Sequence, residues 1–253
     1  MRIPSLLACV SLALCFSPAS AQDSKPTSQP TSQPAKTALA GVLEAARKDK
    51  IKLEGRHVYF LGKNPGVALL EHETKRTKRG LEAIFSEHAP DGSFVRSTYV
   101  LDSAGKLLAI EIGTGTRDSY PDASRTQRFV REGKELAELN KTKLTGGRKK
   151  LPISALPMSV VMFVLPSLAK HLPASLEFVP VFESQVHGET MVLSCEATKD
   201  GARAAVLVSG QPAVTIQIDS KGAVTQMETP DGNVIKPVSE AKAKAILAKL
   251  RPA

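Results

Sequence analysis

Residues 93–112 read Ser-Phe-Val-Arg-Ser-Thr-Tyr-Val-Leu-Asp-Ser-Ala-Gly-Lys-Leu-Leu-Ala-Ile-Glu-Ile. The first arm, Ser93–Leu101, is rich in β-branched and aromatic residues. The second, Lys106–Ile112, puts Leu108, Ile110 and Ile112 on one face and Glu111 on the other. Period two in both arms, with Asp102-Ser103-Ala104-Gly105 between them, is the pattern of an antiparallel hairpin. The phrase returns at Ile216–Glu228, where Asp219, Ser220, Gly222 and Glu228 stand 117 positions after Asp102, Ser103, Gly105 and Glu111. A common turn can recur by chance. Duplication also explains why both second arms end before a turn residue, Gly113 or Pro230.

Working outward, period-two runs precede the first hairpin at His57–Phe60, Val67–Arg76 and Gly80–Glu87, with Asn64-Pro65-Gly66 and Asp91-Gly92 as turns. Another hairpin follows, joining Arg125–Val130 to Glu135–Thr142 through Arg131-Glu132-Gly133-Lys134. Around the second copy lie Leu176–Phe182, Glu189–Ala197, Ala202–Ser209 and Ala213–Asp219. Leu39, Val42, Leu43 and Ala46 form one helical stripe behind a Thr37 cap, and Ser239 caps a last helix with Ala243, Ile246, Leu247 and Leu250 inward. Between the two strand runs, Leu151–Leu172 is almost continuously apolar and is marked by Pro157 and Pro166. A helix apolar all round must be covered on several sides. The expected fold class is therefore α+β: two related antiparallel halves, about 55–145 and 174–236, joined by a central apolar helix within 151–172. Short helices stand at both ends of a single domain, 38–253.

The N-terminus carries an export pattern. Met1-Arg2 is a short positive region, Ile3–Phe16 an apolar run, and Ala19-Ser20-Ala21 a small-x-small cleavage site. That run is too short to span a bilayer core. Cleavage after Ala21 leaves Gln22 first and the expected localisation is secreted or periplasmic. Residues 22–37, with Thr-Ser-Gln-Pro twice, cannot build a core and read as a disordered tether. Cys9 and Cys15 go with the leader, so Cys195 remains alone and no internal disulfide forms. The rest of the chain is long enough to bury a core without one. No segment after the leader is expected to cross a membrane.

The formal net charge is +9, with basic clusters at Lys75, Arg76, Lys78 and Arg79 and at Lys141, Lys143, Arg148, Lys149 and Lys150. Such runs suit an anionic surface or are solvated loops. Nucleic acid is a poor fit: there is no tryptophan and aromatics make up 4% of the chain, which leaves no stacking platform.

Motifs with chemistry are scarce. The sequence has no Gly-x-Ser-x-Gly, phosphate-binding glycine loop, haem-attachment motif or His-Glu-x-x-His. His57, His72, His88, His171 and His187 lie far apart without ligand spacing. In Glu71-His72-Glu73, a strand puts both carboxylates on one face and the imidazole on the other, so the three do not converge on a metal. His72 reads as a core histidine. Cys195, between Leu193 and Ala197 on one strand face, reads as a buried, inert thiol. Asp102 and Asp219 read as turn-capping side chains. No catalytic residue, metal or cofactor is expected.

A short N-terminal helix, meandering strands, a proline-marked apolar helix and a second strand run ending in Asp219-Ser-Lys-Gly222 resemble uncharacterised exported bacterial β-rich proteins. Those are similar in outline to the periplasmic lipoprotein-carrier fold, a curved antiparallel sheet closed by helices. The resemblance covers about residues 55–236 and carries over no catalytic residue. It implies a concave, apolar-lined sheet for a hydrophobic or lipid-like ligand, lined by Leu156, Met158, Met162, Phe163 and Phe178, with the middle helix as plug or lid. The leading expectation is a non-catalytic envelope protein binding such a ligand or an envelope component. The alternatives are a structural or interaction protein with a self-packed sheet, and an unrecognised hydrolase.

Overall fold

The computed structural model describes residues 39–62, 67–122, 124–133, 135–139, 150–152, 155–182, 185–186 and 190–250. The leader, the tether, the Thr37 cap and most of the second basic cluster lie outside the described residues. Chain order begins with α1 (Leu39–Lys48), β1 (Arg56–Leu61), β2 (Leu69–Thr77), β3 (Gly80–His88), β4 (Ser93–Leu101) and β5 (Leu107–Thr116). A 3₁₀ turn at Arg117–Ser119 leads to β6 (Ser124–Glu132), β7 (Glu135–Glu138), β8 (Lys150–Pro152), β9 (Ala155–Pro157) and α2 (Met158–Leu168). Then come β10 (Ala174–Phe182), β11 (Gln185–Val186), β12 (Met191–Thr198), β13 (Gly201–Val208), β14 (Gln211–Asp219), β15 (Val224–Glu228), β16 (Val234–Val238) and α3 (Glu240–Lys249).

The two Asp-Ser-x-Gly hairpins match bond for bond. Asp102 Oδ1 accepts from the backbone N–H of Ala104 (2.8 Å) and Lys106 (2.9 Å); Asp219 Oδ1 accepts from Lys221 (2.9 Å) and Ala223 (2.8 Å). Each hairpin has a bulge in its first arm's pairing, at Val100/Leu101 and at Gln217/Ile218. The first bulge pairs Leu101 with Leu107, so Leu107 takes the buried face expected for Leu108. A second echo escaped the sequence reading. Thr77-Lys-Arg-Gly80 and Thr198-Lys-Asp-Gly201 both make two-residue turns, and Gly80 and Gly201 each approach the next strand's backbone.

The expected division into two halves joined by a central helix is overturned. Among the described residues, sixteen strands form one sheet, ordered β11-β10-β12-β13-β14-β15-β16-β1-β2-β3-β4-β5-β6-β7-β8, with β9 beside β10. Among the described residues, only the β9–β10 pair is parallel. The joint is β16 against β1, with Tyr59 opposite Val238 and Leu61 opposite Lys236. A backbone edge left open between halves exposes unpaired N–H and C=O groups; pairing the first strand with the last removes both edges at once. Helix α2 is no connector either. It occupies Met158–Leu168 alone, while 150–152 and 155–157 are strands. It begins just after Pro157 and runs through Pro166 into its last turn.

Strands β8 and β9 show how far the sheet curls. Strand β8 terminates one end of the ladder and β9 lies beside β10 at the other, yet only two residues separate them. Three Cα–Cα steps reach at most about 11 Å, so the two ends come nearly together there. A curled sheet this wide encloses more than inward side chains fill, and helices complete the interior. The main core joins Val42, Leu43 and Ala46 of α1, Val160, Phe163, Val164 and Leu165 of α2, and inward residues of both ends of the sheet. Outward positions of β2–β6 carry Glu71, Glu73, Glu82, Arg96, Glu111 and Arg128. That face also carries Tyr59 and Leu69, which form a separate buried cluster with Ala243 of α3. Among the described residues, no helix is long and apolar enough to cross a membrane.

Candidate functional site

The residues expected to line a ligand site gather around α2. Phe163 and Phe178 are buried in the same core cluster, 1% and 4% exposed. Met162, half-buried, packs against that cluster and against a second one formed by Phe60, Val67, Leu70 and Ile235. Val224 and Met227 bridge the same two clusters. Leu156 pairs across from Pro180 in β9, and Met158 opens α2; their side chains lie outside the described residues. Helix α2 carries no charge and is tied to α1 by a single described side-chain hydrogen bond, Ser167 Oγ to the Val42 carbonyl at 3.0 Å. Apolar contact does the rest.

The polar chemistry lies on the opposite face of the sheet. Strands β1, β2 and β3 place His57, Glu71 and His88 on the outer surface, because Glu71 opposes Tyr59 and Ser86 while His57 and His88 sit one diagonal step away. Glu71 Oε1 accepts from His57 Nε2 at 2.5 Å, and Oε2 accepts from His88 Nε2 at 3.2 Å and from the Tyr120 hydroxyl. These three donors outweigh the cost of burial and hold the Glu71 carboxyl down at about 2. Burial and the adjoining carboxylate push Tyr120 the other way, well above the usual phenol range. Arg96 Nη1 donates to Ser86 Oγ and to Tyr120 Oη, both at 3.3 Å, and its guanidinium lies 5.7 Å over the Tyr120 ring. Both Glu71 oxygens are occupied, and Ser86 is buried. The arrangement clamps Tyr120 and its segment to the sheet.

Sequence spacing missed this convergence, since the histidines are distant along the chain. The Thr77–Gly80 turn sets the β2–β3 register and would have revealed His88, but the β1–β2 register and Tyr120 are tertiary facts. The reading of Glu71-His72-Glu73 is met: His72 is on the inner face, 5% exposed, between Val58 and Phe85. Its Nε2 is buried without a hydrogen-bond partner among the described residues. Burial, with the charges of Arg56 and His57 nearby, lowers its pKa to about 4. Cys195 is buried on the inner face and its thiol is pushed up to about 11, chiefly by burial. In the first basic cluster, Lys75, Arg76 and Arg79 pair with Glu73, Glu54 and Glu111 at 3.7, 3.7 and 2.9 Å. That cluster is largely neutralised in place.

No protein-family model matches the chain, and no curated protein matches it. Among solved structures, it is similar to a crystal structure described as a beta-barrel-like protein of domain of unknown function DUF1849 from Brucella abortus. That match has a TM-score of 0.42 at 12% identity and covers 72% of this chain and 94% of the other.

Proposed function

We propose that this chain is an exported, non-catalytic protein of the bacterial envelope whose curled sheet accepts a hydrophobic or lipid-like ligand at the face of α2. The carrying observation is α2 itself: an uncharged helix, apolar on every described side, enclosed by the sheet and α1 and tethered by one described side-chain hydrogen bond. Apolar contacts are non-directional, so an acyl chain can replace a helix against the same walls at little cost in specific bonds. Met162 and Met227, flexible thioethers at the seam between two clusters, suit that exchange. The export leader supports the compartment, and the likeness in outline to lipoprotein carriers points the same way.

Native mass spectrometry of protein purified from its own cell envelope tests this reading. A co-purifying lipid-mass adduct, lost on delipidation and regained on adding envelope lipid extract, is the expected result. A single bare mass under conditions that preserve known lipid complexes overturns it. A second reading, an interaction protein with a self-packed sheet, is favoured by the filled core and by the ladder's ends at β8 and β11. Under it the bare mass would be joined by a partner's.

A further inference from the structure

A cleft of about 700 Å³ opens where β1, the β12–β13 turn, the β14–β15 turn and the end of α2 meet. Its floor is apolar, with Ile51, Pro166, Ala169 and Ala202. Around it stand five cations, Lys52, Arg56, Lys170, Lys199 and Lys221, against one carboxylate, Asp219. Asp219 spends Oδ1 on the backbone N–H groups of Lys221 and Ala223. Lys199 has Asp200 at 4.0 Å; both are almost wholly exposed.

Arg56 is the informative member. It is half-buried on the inner face of β1, its pKa is lowered by burial, and Asp219 opposes that shift from beyond ion-pair distance. A guanidinium taken partly out of water without a paired carboxylate is an uncompensated cost unless an anion completes it. One diagonal step along the same face lies His72, whose buried Nε2 lacks a partner among the described residues. The Arg56 charge acts on that imidazole. Arg56, which lines the basic cleft, and the buried His72 thus share one inner surface of β1 and β2.

We propose that this cleft is an anion site for a phosphate-type headgroup, with Arg56 as its bidentate anchor, Lys52 and Lys221 as flanking charges, and the apolar floor taking the start of an attached chain. Planar guanidinium matches a phosphate's two oxygens, and flanking ammonium groups add charge without fixed geometry. The site goes beyond the ligand reading above, because filling it displaces no helix.

Calorimetric titration of the purified protein at about 0.15 M salt, where long-range attraction is screened, tests it. The probes are dihexanoyl-phosphatidylglycerol, dihexanoyl-phosphatidylcholine and inorganic phosphate. Phosphatidylglycerol should bind saturably at one site. Arg56→Gln should weaken it about tenfold or more, and so should Lys52→Gln with Lys221→Gln, a surface pair that leaves the fold intact. Lys242→Gln with Lys249→Gln on α3 removes the same charge elsewhere and should change nothing. Phosphate competing at equal affinity assigns the site to the free anion, and tighter lipid binding assigns it to a headgroup; both uphold the site. No saturable binding, phosphatidylcholine binding as tightly, or equal weakening by the α3 pair overturns it. None of these last results touches the envelope mass-spectrometry test.

Discussion

Glu71 is buried yet ionised, and its neighbours make that tenable. Its pKa is depressed, so its contribution is fully present above the unfolded-state value near 4.5 and is lost as pH falls towards 2. Glu71→Gln should therefore cost about 1–3 kcal/mol at pH 7, and denaturant titrations should find the gap closing between pH 4.5 and 2. His72 has the opposite charge type but also a lowered pKa. The unfolded chain takes up its proton first, so stability falls as pH drops from about 6.5 to 4 and is level below that. His72→Leu should remove a slope worth roughly 3–4 kcal/mol over that window. A variant with the same slope as the parent would show that the imidazole is solvated. Cys195→Ser should cost about 1–3 kcal/mol through a hydroxyl placed among apolar neighbours, and the native thiol should resist a bulky labelling reagent until denaturant is added. Alternation alone placed Cys195 and His72 correctly, because period two assigns faces without knowledge of partners. It gave no sign of the Glu71 clamp, where Tyr120 arrives from a segment with no period at all.

Hairpins carry the next level of order, and two glycines show what they demand. Gly201 has φ +150° and a Cβ there would lie 2.2 Å from the Ile218 carbonyl oxygen; Gly210, with φ +81°, has open space around it. Gly201→Ala should cost about 2–4 kcal/mol, combining backbone strain with a clash against a central strand. Gly210→Ala should cost about 1 kcal/mol, since only the dihedral is disfavoured. Thermal melts of the two variants separate the contributions. At this scale the sequence was most legible. The strands β2 to β7 and β12 to β15, both helix stripes, the Ser239 cap and the Asp-Ser-x-Gly turns follow from local pattern. The short strands β8 and β9 did not, because Leu151–Pro157 is apolar without alternation and such a run reads like a helix.

Across the whole molecule, what local pattern cannot express is which strands meet. Nothing in His57–Leu61 or Val234–Val238 announces that they pair, so the expectation of separate halves failed at β16–β1. The core that results is shared: α1, α2 and both ends of the sheet contribute to one cluster. Phe163→Asp, placing an unpaired charge at its centre, should prevent folding altogether; a soluble variant with a cooperative melt would show that this face is open to water. The β16–β1 joint also bears on the order of events during biogenesis. Its strands come from opposite ends of the described chain, and closing so long a loop must precede any reward from the contacts it brings. A nascent chain therefore lacks the strand that seals this sheet until Val234–Val238 has been made. Until then the first strand has no partner on that side, and truncation before Val234 should yield a protease-sensitive product.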